Sequence, residues 1–230
     1  MNRLGAVVRL HLLVPRRTLG VPWSILALAW GASVALLASF GDSGHVVIVG
    51  GLFSLYAALF VTSVQAVTKV LPFALGLGVT RRAYYGGTCL FLAGQALVAS
   101  VALSLLRVAE QRSGGWGTGL RFFDVPYLVG GGAVPAAAGY AGSLVLACGA
   151  GLLGGAISRR WGAVGTSVLS AAVVVVPGLV GWWIAVRGWF PAVRSWFADQ
   201  PQTVLQAGWP TVLAAALALL GWTAVRRTAA

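Results

Sequence analysis

Apolar residues run along the chain in six long blocks, roughly 21–40, 46–68, 88–108, 135–158, 162–186 and 207–225, and no charged residue falls in the central part of any block. As a helix, each is long enough to cross ~30 Å of hydrocarbon. The pattern predicts an all-α polytopic membrane protein with six transmembrane helices. Ahead of the first block, residues 2–14 show a weaker, two-sided pattern. At about 100° per residue, Asn2, Arg3 and Arg9 share one arc and Leu4, Val7, Val8, Leu12 and Val14 the other, with Leu10 and Leu13 blurring the boundary. This predicts an N-terminal interfacial amphipathic helix, within a segment 1–20 that precedes a six-span domain over 21–230. Pro15 ends it, and Arg16 and Arg17 hold the following turn in the cytoplasm. A second amphipathic stretch lies at 187–199, where Trp189, Phe190, Val193, Trp196 and Phe197 oppose Arg187, Arg194 and Ala198. It fits an outer amphipathic or re-entrant helix, or an ordinary aromatic belt at the membrane surface.

The connections between blocks set the orientation. Arg3, Arg9, Arg16, Arg17, Lys69, Arg81, Arg82, Arg159, Arg160, Arg226 and Arg227 lie at the chain ends or in even-numbered connections, with no acid among them. Asp42, Glu110, Asp124 and Asp199 all lie in odd-numbered connections, beside Arg107, Arg112, Arg121, Arg187 and Arg194. Basic residues concentrate on the cytoplasmic side, so both termini are expected there. The first outer connection is the short turn at 41–44, and the third, 109–134, is rich in glycine and aromatics. The first block is too long for the apolar part of a signal peptide and lacks a cleavage site, so no cleaved leader is expected.

Composition agrees. Of 230 residues, 59% are hydrophobic and 9% charged, and mean hydropathy is +0.89. A soluble domain could not hide that much apolar surface. The net charge of +12 is explained by the topology and by anionic lipid headgroups, so nucleic acid is not expected as a partner. Arg, Ala, Gly and Val dominate over a single lysine, which points to a high-GC bacterial source and hence a bacterial plasma membrane. Gly139, Ser143, Ala147, Gly151 and Gly155 recur every four residues and form a small-residue ridge, either for packing within the chain or for a dimer.

Much chemistry is missing. The single lysine, Lys69, follows Thr68, so there is no Gly-Lys-Ser/Thr phosphate loop. His11 and His45 lie near opposite faces, too far apart for a two-histidine metal site. Cys89 and Cys148 read as small apolar fillers within spans. Ser63 and Ser100 have no histidine at their depth to activate them. No Asp, Glu or His lies inside a block to relay protons or bind a coupling ion. The chain is therefore not expected to be an enzyme, to hold a cofactor or metal, or to couple to an ion. If it moves a cargo, the energy comes from another subunit, and the cargo is hydrophobic or amphiphilic. Glu110, three residues after Arg107, reads as half of a local ion pair or as a candidate outer gate. Gln65 and Gln95 read as partners between helices.

Residues 70–88, VLPFALGLGVTRRAYYGGT, are too apolar for a free loop and too short to cross. Pro72 is expected to break the second helix. Phe73, Leu75, Leu77 and Val79 alternate with Ala74, Gly76 and Gly78, and Thr80, Arg81 and Arg82 follow, then Tyr84 and Tyr85 at interface depth. With six spans, an interfacial N-terminal helix and this segment, the chain resembles bacterial permease subunits of the type-2 exporter family of ABC transporters. Ala109-Glu110 with Gly115-Trp116-Gly117, Phe122-Phe123 with Val125-Pro126-Tyr127, and Ser158-Arg159-Arg160-Trp161-Gly162 extend the resemblance to actinobacterial members. The resemblance implies a dimer, of identical or related permeases, bound to a separate ATP-binding subunit on the cytoplasmic face. It also implies that the connection between spans two and three is the coupling element, with Phe73, Leu75, Gly76, Gly78, Thr80, Arg81 and Arg82 touching that subunit. The cargo would be a lipid-like compound, antibiotic or peptide. A membrane-embedded enzyme and an accessory scaffold without a transport path are the alternatives.

Overall fold

The computed structural model describes residues 3–12, 19–40, 47–48, 50–126, 128–129 and 131–226. Asn2, Leu13, Val14, Pro15, Arg16, Arg17, the turn at 41–44 with Asp42, His45, Tyr127 and Arg227 lie outside the described residues.

The order of elements is α1 (Arg3–Leu12), α2 (Val21–Phe40), β1 (Val47–Ile48), α3 (Gly50–Gly76), α4 (Arg81–Arg112), β2 (Leu120–Arg121), α5 (Ala133–Val186), α6 (Phe190–Asp199) and α7 (Val204–Arg226). Five of these, α2, α3, α4, α5 and α7, are long and apolar enough to cross a membrane. The two short strands pair in parallel, Val47 with Leu120 and Ile48 with Arg121.

The 54-residue α5 is not straight. Gly162 sits at φ 61 and ψ −146, which breaks the helix, and the chain doubles back there. Ser158 Oγ lies 2.8 Å from Thr166 Oγ1, whereas eight residues of straight helix would separate them by roughly 12 Å. A Cβ on Gly154 would lie 3.9 Å from Leu169. So α5 consists of two arms, 133–161 and 163–186, which cover the fourth and fifth predicted blocks.

Prolines leave a repeated mark. A π-helical turn at Ala66–Val70 precedes Pro72 by one residue, and another at Val204–Gly208 precedes Pro210 in the same way. Proline has no N–H, and its ring crowds the carbonyl four residues back. The widened turn relieves this by bonding to the fifth carbonyl back, Leu71 N–H to Ala66 O and Trp209 N–H to Val204 O. Hence Pro72 does not end α3, as the sequence suggests; the helix runs on to Gly76.

The small-residue ridge is a packing face within the chain. A Cβ on Gly151 would stand 2.5 Å from the Phe60 carbonyl oxygen, and one on Gly155 2.9 Å from that of Val64. A second row, which the four-residue spacing did not reveal, meets α7: a Cβ on Gly142 would lie 2.9 Å from Ala207 Cα and one on Gly149 2.9 Å from the Ala214 carbonyl oxygen. These steps match in sign, so α3, the first arm of α5 and α7 run in the same direction. That register sorts the charges. Lys69, Arg81, Arg82, Arg159, Arg160 and Arg226 collect at one end of the bundle, the basic end, and α1 docks there against α4. The described acids, Glu110, Asp124 and Asp199, collect at the other end.

The first arm of α5 supplies the centre of the core through Tyr140, Leu144, Leu152 and Ala156, packed with Leu55, Leu59 and Leu103. The second arm and α6 are exposed along nearly their whole length, with Val168, Leu179, Trp182 and Phe190 outward. Apolar surface of that extent is at home in lipid rather than water.

Candidate functional site

Two places carry most of the polar and strained detail, one at each end. At the basic end, α3 and α4 are joined by a tight turn. Leu71 and Ala74 are buried and anchor the last turn of α3, while Phe73 is 61% and Leu77 63% exposed. The expected alternation is thus replaced by a helical pattern, with small Ala74 inward and large Phe73 outward. Gly78 takes φ 80, a backbone conformation that costs glycine little, and Val79 N–H returns to the Ala74 carbonyl at 3.1 Å. Thr80 then caps α4, its hydroxyl accepting from Ala83 N–H at 3.3 Å. Leu75 and Arg81 are half-buried; Gly76, Gly78, Thr80 and Arg82 are exposed. The seven residues expected to touch a partner therefore lie together within residues 73–82.

This turn is tied to the bundle just behind its tip. Tyr84 donates to the Ala66 carbonyl of α3 and Tyr85 to the Ala218 carbonyl of α7, each at 2.7 Å. His11 of α1 meets Thr88 Oγ1 at 3.1 Å and stacks on Phe91 with ring centroids 4.8 Å apart. Burial holds the His11 imidazole below its usual pKa, so it is neutral at pH 7. In α1, Val7 and His11, four residues apart on one face, are buried, and Arg9 points outward. Hydrophobicity alone did not single out His11.

At the opposite end, Glu110 is 1% exposed. Its carboxylate accepts from three successive backbone N–H groups, Phe122 at 3.0 Å, Phe123 at 3.1 Å and Asp124 at 2.8 Å, and from the Trp116 indole N–H at 3.1 Å. Arg107 pairs instead with Asp124, Nε to Oδ1 at 2.6 Å, and donates to the Gly131 carbonyl at 3.3 Å. The local Arg107–Glu110 pair suggested by spacing gives way to these two longer-range sets. For Asp124, burial alone would raise the carboxyl pKa, but hydrogen bonds from Arg107 and Gln111 and the charges of Arg107 and Arg121 hold it below the usual carboxylate range. Trp116 has φ 61, unusual for a bulky residue. Its bond to Glu110 and its edge-on contact with Trp30 at 5.1 Å hold it there. Tyr140 closes the loop by donating to the Phe123 carbonyl. The geometry is that of a lock: a carboxylate at a helix end gathering a returning loop. Sequence spacing could not find it, because its donors are mostly backbone groups.

Among the described residues, no cluster of three or more His, Cys, Asp or Glu side chains is placed to hold a metal. Cys89 and Cys148 are free thiols within the bundle. No family model, curated protein or solved structure matches the chain.

Proposed function

We propose that this chain is the membrane-spanning permease subunit of an ATP-driven exporter, moving a hydrophobic or amphiphilic cargo with power from a separate ATP-binding subunit. In this reading the two arms of α5 are separate crossings, which gives six, and the basic end faces the cytoplasm of a bacterial plasma membrane. The chain pairs with a second copy or a related permease.

The observation that carries the reading is the turn between α3 and α4. Phe73 and Leu77 are held outward on a tip whose other side is anchored by Leu71 and Ala74, and exposed Arg82 stands beside them at the basic end. Apolar knobs fixed on a rigid helix end and flanked by positive charge suit an acidic groove on a water-soluble partner. Tyr84 and Tyr85 link the base of that turn to α3 and α7, so a push on the tip reaches three helices at once. ATP binding to the partner would favour one arrangement of those helices and hydrolysis would release it.

Replacing Arg81 and Arg82 together with glutamate tests the contact. Recovery of a tagged cognate ATPase with the permease should fall by roughly tenfold or more, as expected for reversed charges at an interface, while membrane insertion is unchanged. Undiminished recovery contradicts the role of the turn.

A further inference from the structure

Between α1, α3 and α4 at the basic end lies a groove of about 330 Å³, at the lower limit of the ~300–1,000 Å³ usual for small-molecule sites. Its two walls differ in chemistry. One is apolar, built from Leu10, Phe91 and Leu92. The other bears Thr62, Gln65 and Lys69, which fall on one helical face because they are spaced three and four residues apart. The Thr62 hydroxyl is satisfied by the Ala58 carbonyl at 2.8 Å. Lys69 and Gln65 are both exposed. Arg107 pairs with Asp124, and the described acids all stand at the far end of the bundle. Lys69 therefore presents a positive charge with no carboxylate of the described residues near it, seven residues above the end of α3, or roughly 10 Å along the axis. Gln65 presents an amide one turn deeper, where water is scarce and an unmet amide is costly.

Order along the groove matters. From the basic end inward come an ammonium, an amide, then a hydroxyl already satisfied and aliphatic or aromatic walls. A glycerophospholipid with its head at that end presents the complementary series: an anionic phosphate, ester carbonyls, then an acyl chain. A free phosphate would use only the first of these, and an uncharged oil only the last. The groove is also fixed in width. Tyr84 of α4 bonds to the Ala66 carbonyl inside the π-helical turn of α3, and the stacking of His11 on Phe91 holds α1 against α4.

We propose that this groove binds an anionic glycerophospholipid from the leaflet at the basic end, with Lys69 on the phosphate, Gln65 donating to an ester carbonyl and one acyl chain against Leu10, Phe91 and Leu92. The site needs the helices to lie in a bilayer and requires nothing about transport or an ATPase; Phe73 borders both the groove and the turn, so the test is read at Lys69 and Gln65, which the permease reading does not use.

The test is retention of lipid by the full chain purified in detergent, read by native mass spectrometry. Phosphatidylglycerol and phosphatidylcholine of the same acyl chains are titrated in parallel, with inorganic phosphate as a competitor. One phosphatidylglycerol should be retained in preference to phosphatidylcholine, and millimolar phosphate should not displace it. Lys69→Gln should weaken retention by about tenfold and Gln65→Leu by about threefold, the scale of one charged and one neutral hydrogen bond. Arg160→Gln, a charge at the same end but outside the groove, should leave retention unchanged. Equal retention by Lys69→Gln, equal loss from Arg160→Gln, or no preference over phosphatidylcholine overturns the proposal. Lys69 is the single lysine, so the unaltered chain offers a second readout. Acylation of its amine should be slowed several-fold by phosphatidylglycerol and not by phosphatidylcholine; equal rates count against the site even if a variant misfolds.

Discussion

Glu110 shows how one side chain can organise the loop that follows its helix. Three backbone N–H groups and an indole converge on its carboxylate, which at 1% exposure has little access to water. Glu110→Gln turns one oxygen into a donor facing donors. The expected cost is about 1–3 kcal/mol, seen as a lower unfolding midpoint in detergent; an unchanged midpoint would return Glu110 to the role of an unengaged gate. His11 predicts a pH effect. Its neutral form is the docked one, so free α1 takes up a proton near pH 6.5 while docked α1 does so only at lower pH. The undocked state binds more protons in that window, and docking weakens as pH falls below about 6.5. Hydrogen exchange in α1, corrected for intrinsic rate, should rise on acidification, and His11→Gln should remove the dependence. Neither role was legible from spacing, which paired Glu110 with Arg107 and set His11 aside as a lone imidazole. Their partners lie far along the chain or belong to the backbone.

Elements were more legible than contacts. The apolar blocks locate the long helices because a helix in hydrocarbon must satisfy its own backbone and show lipid-compatible side chains. Two further helices, α1 at Arg3–Leu12 and α6 at Phe190–Asp199, also form within the two stretches whose patterns predict them. The end of α3 was not legible: Pro72 reads as a stop, yet a widened turn before it lets the helix continue. Spacing alone admits another copy or this chain as the partner of the glycine ridge, and the register of α5 on α3 places Gly151 and Gly155 against this chain. A side chain at Gly151 would strike the Phe60 carbonyl, and backbone cannot swing aside. Gly151→Leu should cost about 1–3 kcal/mol or more and broaden the size-exclusion peak. Gly181→Leu, with open space around it, should behave as the unaltered chain. Equal behaviour of the two would refute the packing.

At the scale of the whole molecule, the charge pattern read along the sequence reappears as two ends of one bundle. The described acids share one end with the Glu110 lock, and the basic end holds α1, the lipid groove and the exposed turn. Sequence carried this because topology depends on where charge falls between blocks, whereas the outward pose of Phe73 and the inward pose of Ala74 depend on how α3 continues past Pro72. The exporter reading joins these features: apolar flanks suited to lipid, and a stiff basic-end tip tied by two tyrosines to the helices behind it. Its most direct test is photo-crosslinking in intact membranes, with Phe73 replaced by benzoylphenylalanine and Phe190 replaced likewise as the control at the opposite end. The account predicts an adduct with an ATP-binding subunit from position 73 and none from position 190. No such adduct from position 73, or equal adducts from both, would contradict it.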